Sequence, residues 1–170
     1  MRKSELIINP KGMNDWYKAE ADFFLALQAE IIKFSLAYGF EYIRTPLIEN
    51  EKTFTLTLGL TSDVVNKEMF YLKSKAKNEK FVLRPEGTAP IVRAYIQNGF
   101  NSFIQPVRLF YLAPMYRYEK PQAGRLREHY QWGLEILGIG ADDPICEAEI
   151  IQAFDNFLKR FKLKNYVFKV

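Results

Sequence analysis

The sequence predicts an α+β fold in which one antiparallel sheet is flanked by helices, and three observations predict it. Helical patterns interrupt strand patterns without the regular alternation of a parallel doubly wound sheet. Two segments, Met115 to Glu119 and Tyr130 to Leu137, alternate across a polar stretch that carries Gly124, the signature of a long-looped antiparallel hairpin. Hydrophobic residues make up 48% and charged residues 26%, the balance of a chain that packs a core rather than a disordered or fibrous one. With 170 residues, positions 1–170 are read as one domain, long enough to bury most of its apolar surface without disulfides or a structural metal.

Taken in order, Asp15 is placed to cap a helix whose residues Phe23, Phe24, Leu27, Ile31, Phe34 and Tyr38 recur at three- and four-residue steps, with Gly39 suited to end it. Phe40 to Pro46 then reads as a strand rich in aromatic and branched residues, its proline at the end where a missing N–H does least damage. Met69 to Leu72 and Phe81 to Arg84 are short apolar runs around the charged stretch 73–80, so they predict a hairpin with a solvated tip; nucleic-acid contact is the other reading of those lysines. Pro90 sits where a first helical residue belongs, Ile91, Val92, Ala94 and Tyr95 give an apolar face, and Gly99 marks the stop.

Val107 to Ala113 is a second apolar strand, and beyond Pro114 the alternation puts Arg117 and Glu119 on one face. Lys120 to His129 reads as a polar loop, after which Gln131, Gly133 and Glu135 share a side. Asp143-Pro144 starts a last helix with Ile150, Ile151, Phe154, Phe157, Leu158 and Phe161 inward and Lys159, Arg160, Lys162 and Lys164 near its C-terminal dipole. Tyr166 to Val170 begins another strand that meets the chain end without a turn, so the domain is expected to be truncated.

Composition excludes several chemistries. Cys146 is the lone cysteine and His129 the lone histidine, so neither an internal disulfide nor a Cys/His metal cluster is expected, and a reducing cytoplasmic setting fits. Neither a signal-peptide core nor a run of bilayer length occurs, and a net charge of +4 is compatible with a polyanionic partner without identifying one. Phosphate loops, dinucleotide turns, nucleophile elbows and zinc-protease helices are missing. What remains is the hairpin face. A guanidinium with carboxylates suits a ligand bearing both phosphate and ammonium groups, and Gly133 leaves a gap between Gln131 and Glu135 for a ligand or backbone. Spacing alone equally allows a solvated face with Arg117 paired to Glu119 or Glu135, and His129 beside Glu128 reads as exposed rather than as half of a catalytic dyad.

Here the residues become specific. Met115-Tyr116-Arg117-Tyr118-Glu119 followed by Gly124-Arg125-Leu126-Arg127 resembles motif 2 of the class II aminoacyl-tRNA synthetases, and Phe40 to Pro46 resembles the end of motif 1. Arg84-Pro85-Glu86-Gly87-Thr88-Ala89 and Gln131-Trp132-Gly133-Leu134-Glu135 point within that class to the histidyl-tRNA synthetases. Lys11-Gly12 with Asp15, Asp63-Val64-Val65 and Lys67-Glu68-Met69 fit the same family, so the resemblance spans nearly the whole chain. It departs at His129-Tyr130 and at Trp132, where other aromatic or smaller residues are usual.

The resemblance implies that Glu86, Thr88 and Gln131 hold the α-ammonium of histidine and that Glu135 reads its imidazole N–H. It implies that Arg117 contacts the α-phosphate of ATP and the attacking carboxylate, as the catalytic group, with Glu119 near the adenine amino group and Arg125 and Arg127 at the tRNA acceptor end. The reaction would be in-line attack of the histidine carboxylate on Mg-ATP, giving histidyl-adenylate and pyrophosphate, then transfer to tRNA(His). A homodimer through helix 15–38 and the following strand is implied as well. The third motif, a histidine-specific segment and an anticodon-binding domain are not found, so the chain as given is expected not to complete the reaction. The rivals are the synthetase-like regulatory subunit of ATP phosphoribosyltransferase, which senses histidine without charging tRNA, and a noncatalytic α+β interaction module. Arg117, Glu119 and the basic loop at 125–127 favour the ligase.

Overall fold

A computed structural model describes residues 6–59, 61–74 and 79–169. In chain order these form α1 (Ala19–Ala37), β1 (Glu41–Tyr42), β2 (Ile48–Asn50), α2 (Glu51–Leu58), a π-helical turn at Val64–Glu68, β3 (Phe70–Leu72), β4 (Phe81–Leu83), α3 (Thr88–Gln97), a 3₁₀ turn at Phe100–Ser102, β5 (Val107–Tyr116), β6 (Glu128–Leu137) and α4 (Pro144–Arg160).

The α+β class holds, but there are two three-stranded sheets, ordered β1-β5-β6 and β2-β4-β3. The second is antiparallel throughout, and its β3/β4 hairpin is the one the apolar runs predict; the middle of the tip, 75–78, lies outside the described residues. In the first, β5 and β6 pair antiparallel over ten residues each, whereas β1 joins β5 in parallel. Pro114 does not interrupt β5, because even-numbered residues there direct their peptide groups away from β6. Phe110 O accepts from Ile43 N–H at 3.0 Å, Pro114 O from Arg84 Nε at 3.0 Å, and Tyr116 N–H donates to Arg84 O at 3.0 Å. A proline at such a position costs no ladder bond.

The main sheet buries both faces. On one, Phe110 and Leu134 pack with Ile31 and Phe34 of α1 and Ala153 and Phe157 of α4; Trp132 belongs to this face and donates from Nε1 to Ser35 Oγ at 3.1 Å. On the other, Leu109, Tyr111 and Met115 pack with Ile91 of α3. A third cluster, Phe54, Val65, Met69, Val82 and Ala89, ties α2 and the π-helical turn to the small sheet.

Several expectations are corrected. The first helix begins at Ala19, and Asp15 does not cap it: Lys18 occupies that position at φ 52° without a side-chain bond. Trp16, just before it, packs edge-on against Phe24 and tilted against Tyr130, and Phe23 is 66% exposed rather than inward. Only Glu41–Tyr42 of the predicted 40–46 strand is strand; the chain then leaves the sheet to reach β2. Pro90 is the third residue of α3, still within the turn whose N–H groups have no intrahelical partner. β6 starts at Glu128, two residues before the predicted Tyr130. Phe161 is 40% exposed, and residues 166–169 form no strand, Val170 lying outside the described residues. The start of the final helix matches its prediction: Asp143 caps α4 by accepting from Ile145 N–H at 2.9 Å.

Candidate functional site

The β5/β6 register decides which side chains share a face. Ala113 lies opposite Gln131, Tyr111 opposite Gly133 and Leu109 opposite Glu135. Arg117 continues the ladder one step beyond β5, its N–H donating to Arg127 O at 2.9 Å. Alternation therefore puts Arg117 on the same side of the sheet as Gln131, Gly133 and Glu135, the α3 side.

The segment 84–88 crosses that side and touches every one of these polar residues. Arg84, only 5% exposed, anchors it: the guanidinium donates from Nη1 to Thr45 O at 2.9 Å and from Nε to Pro114 O. Burial lowers its pKa, and the Glu49 carboxylate opposes that shift. Pro85 O accepts from Arg117 Nε at 2.9 Å. Buried Glu86 caps α3, Oε2 accepting from Thr88 N–H at 2.7 Å and Oε1 from Ala89 N–H at 2.9 Å. Gly87 N–H donates to Gln131 Oε1 at 3.1 Å, and Thr88 Oγ1 donates to Glu135 Oε1 at 2.8 Å. Sequence reasoning did not single out Arg84, whose cationic head reads as surface until its carbonyl partners are seen.

Gly133 does leave a gap, but a side chain fills it. The Tyr111 ring lies between Gly133 and Gly87, and a Cβ on either glycine would overlap it. Burial raises the Tyr111 pKa, with the negative Glu135 adding to it. Burial also raises the Glu135 pKa; the Thr88 hydrogen bond opposes the shift and Glu86 reinforces it. The floor of the site is thus a neutral phenol beside a carboxylate that gains from a cationic or N–H-bearing ligand.

At its outer end the site opens into a cavity of about 400 Å³ lined by Arg117, Glu119, Arg125, Leu126 and His129, with Val64 and Glu68 across from them. Glu119 lies beyond the strand, 4.0 Å from Arg117 Nη1 and 3.5 Å from Arg125 Nη1, so a loose acid–base cluster replaces a tight pair. Arg125 is exposed, whereas Arg127 is engaged within the hairpin, donating from Nε to Glu119 O at 3.0 Å and lying over the Tyr118 ring at 4.4 Å. His129 is corrected: it belongs to β6, is half-buried, and faces this cavity instead of solvent. Burial lowers its pKa, with Arg117 adding to the effect and Glu119 opposing it, which favours the neutral imidazole. Extending the β6 alternation upstream by two residues would have revealed it. The unusual Trp132 and Tyr130, by contrast, lie on the opposite face, away from the site.

The chain as a whole is similar to known proteins of one family. A family model described as histidyl-tRNA synthetase matches residues 12–170. The histidine–tRNA ligase of Desulfitobacterium hafniense is 40% identical over 158 residues, covering 93% of this chain and 37% of the relative. That of Desulforudis audaxviator is 42% identical, with the same coverage of 93% and 37%. The chain therefore spans little more than a third of the length of these curated relatives. Among solved structures, apo histidyl-tRNA synthetase of S. aureus superimposes with a TM-score of 0.76 at 29% identity, over 94% of this chain and 36% of that one. A Bacillus halodurans protein described as an ATP phosphoribosyltransferase regulatory subunit/histidyl-tRNA synthetase gives 0.77 at 26%, over 96% and 40%.

Proposed function

The chain belongs to the histidyl-tRNA synthetase family, and from that we propose that residues 1–170 form the front part of the catalytic domain of a histidine–tRNA ligase, which activates histidine with Mg-ATP and passes it to tRNA(His). The observation that carries this reading is the bridge made by residues 84–88. It holds Arg117 through Pro85 O and Glu135 through Thr88 Oγ1 on one side of one sheet, a cation for phosphate at one end and carboxylates for an amino acid at the other. In this reading Glu86, Thr88 and Gln131 receive the α-ammonium and Glu135 the imidazole. Arg117 stabilises the negative charge that develops as the carboxylate attacks the α-phosphorus. Glu119 faces the adenine amino group, and exposed Arg125, with Arg127 behind it, meets the tRNA acceptor end. Mg²⁺ enters with ATP as substrate. We also assign a cytoplasmic homodimer through α1 and β1, supported by the exposure of Phe23, Leu25, Leu36 and Tyr42.

The regulatory-subunit reading has one specific observation in its favour, the likeness to the Bacillus halodurans structure. The two readings part on histidine-dependent ATP–pyrophosphate exchange by the full-length protein. A ligase performs it, and Arg117→Ala reduces it by about 10²–10³-fold, the cost of one transition-state donor. Histidine binding without exchange would establish the sensor instead, and undiminished exchange in Arg117→Ala would remove that residue from the mechanism.

A further inference from the structure

Residues 9–13 make a turn that no part of the proposed reaction uses. Met13 N–H donates to Pro10 O at 3.1 Å and Asn9 Nδ2 to Met13 O at 2.6 Å. Gly12 occupies the third turn position at φ 84°, as a type II turn requires. Its carbonyl points at the hairpin loop and accepts two peptide N–H groups, from Arg127 at 2.8 Å and from Glu128 at 3.2 Å. Arg127 is the residue whose own carbonyl receives the Arg117 N–H, so the turn pairs with the loop stem directly behind Arg117. The approach is too close for a side chain: a Cβ on Gly12 would lie 2.8 Å from Pro121 Cγ and 3.1 Å from Arg127 Cγ. Trp16, packed 4.5 Å from Phe24 and 5.7 Å from Tyr130, fastens the following segment to α1 and β6.

We propose that this turn is a latch for the 117–127 loop and that Gly12 is a positioning residue, fixing through its carbonyl the place of Arg117, Glu119 and Arg125 around a bound nucleotide. The nucleotide part of this inference rests on the reading given under Proposed function; the latch itself does not. The latch acts at the Arg117 end of the site, whereas Thr88, Gln131 and Glu135 are held by the 84–88 bridge. Loosening it therefore weakens nucleotide binding and leaves histidine binding intact.

The test uses the full-length protein and compares wild type with Gly12→Ala, with a version shortened to begin at Met13, which removes the carbonyl without inserting a Cβ, and with Gly12→Ala/Pro121→Gly. Amide hydrogen exchange at Arg127 and Glu128 is expected to quicken about tenfold in the first two, following the cost of a non-glycine residue at positive φ or the loss of the acceptor, while Leu109, Tyr111 and Ala113 stay within about twofold. The Pro121→Gly addition is expected to restore part of the protection by making room. By calorimetric titration, the Kd for ATP rises about tenfold and that for histidine changes less than about twofold. Unchanged exchange at 127 and 128, or ATP and histidine affinities falling in parallel, overturns the inference. A wild-type protein that binds neither ligand defeats the ligase reading and the nucleotide role together, and the exchange arm then still decides whether the latch exists.

Discussion

The Tyr111 wedge makes a quantitative prediction about Gly133. Replacing Gly133 by alanine puts a methyl group into one edge of the Tyr111 ring, and the ring cannot retreat because its opposite edge lies against Gly87 and the residue is buried. Overpacking usually costs about 1–3 kcal/mol, and with both escape routes closed the upper end applies. For a chain of this size each kcal/mol lowers Tm by roughly 2–4 °C, so Gly133→Ala should melt about 6–12 °C below wild type. Differential scanning calorimetry measures this directly. Pairing Gly133→Ala with Tyr111→Leu should cost less than the sum of the single changes, since the shorter side chain vacates the space the methyl needs. A Tm within about 2 °C of wild type, or strict additivity in the double variant, would refute the wedge.

Two further perturbations test the acidic end. Glu135 has a folded-state pKa above its ordinary 4.5 because of burial, so its contribution to stability is complete below that value and is lost as pH rises through the folded pKa. Glu135→Gln has no such loss; its Tm relative to wild type should become steadily more favourable from pH 4 to pH 7, while calorimetric titration shows weaker histidine binding, and a pH-independent difference would contradict the assignment. Glu86→Ala strips the α3 N-terminus of two accepted hydrogen bonds in a buried setting, and should cost about 2 kcal/mol in chemical denaturation, with an effect below about 0.5 kcal/mol counting against the cap.

Local rules carried much of this protein. The alternation of 115–119 and 130–137 puts Arg117 on one side of its strand and Glu135 on one side of the other, and the register of the ten-residue ladder, which sets odd-numbered residues opposite odd-numbered ones, brings the two to the same face. Asp143-Pro144 announced α4 because a cap and a first-turn proline act within one helical turn. Where local signals compete, the sequence settles less, and the segment 51–58 carries no prediction. α2 carries Thr53, Thr55 and Thr57, an alternating β-branched pattern, yet is helical, started by Asn50, which accepts from Lys52 N–H, and held by buried Phe54. The first helix begins past Asp15, and Trp16 instead packs edge-on against Phe24 and tilted against Tyr130, contacts that local helix signals do not report.

The sequence by itself determined the α+β class, the family and the side of the sheet on which the polar residues gather, since each depends on period, caps and short motifs that neighbouring residues settle among themselves. Only the tertiary structure decided that Arg84 is a buried anchor, that Tyr111 fills the gap at Gly133, that His129 faces a cavity and that Gly12 holds the hairpin stem. Each of these is a contact between residues far apart in the chain, and what a side chain does there depends on which distant backbone the topology brings against it.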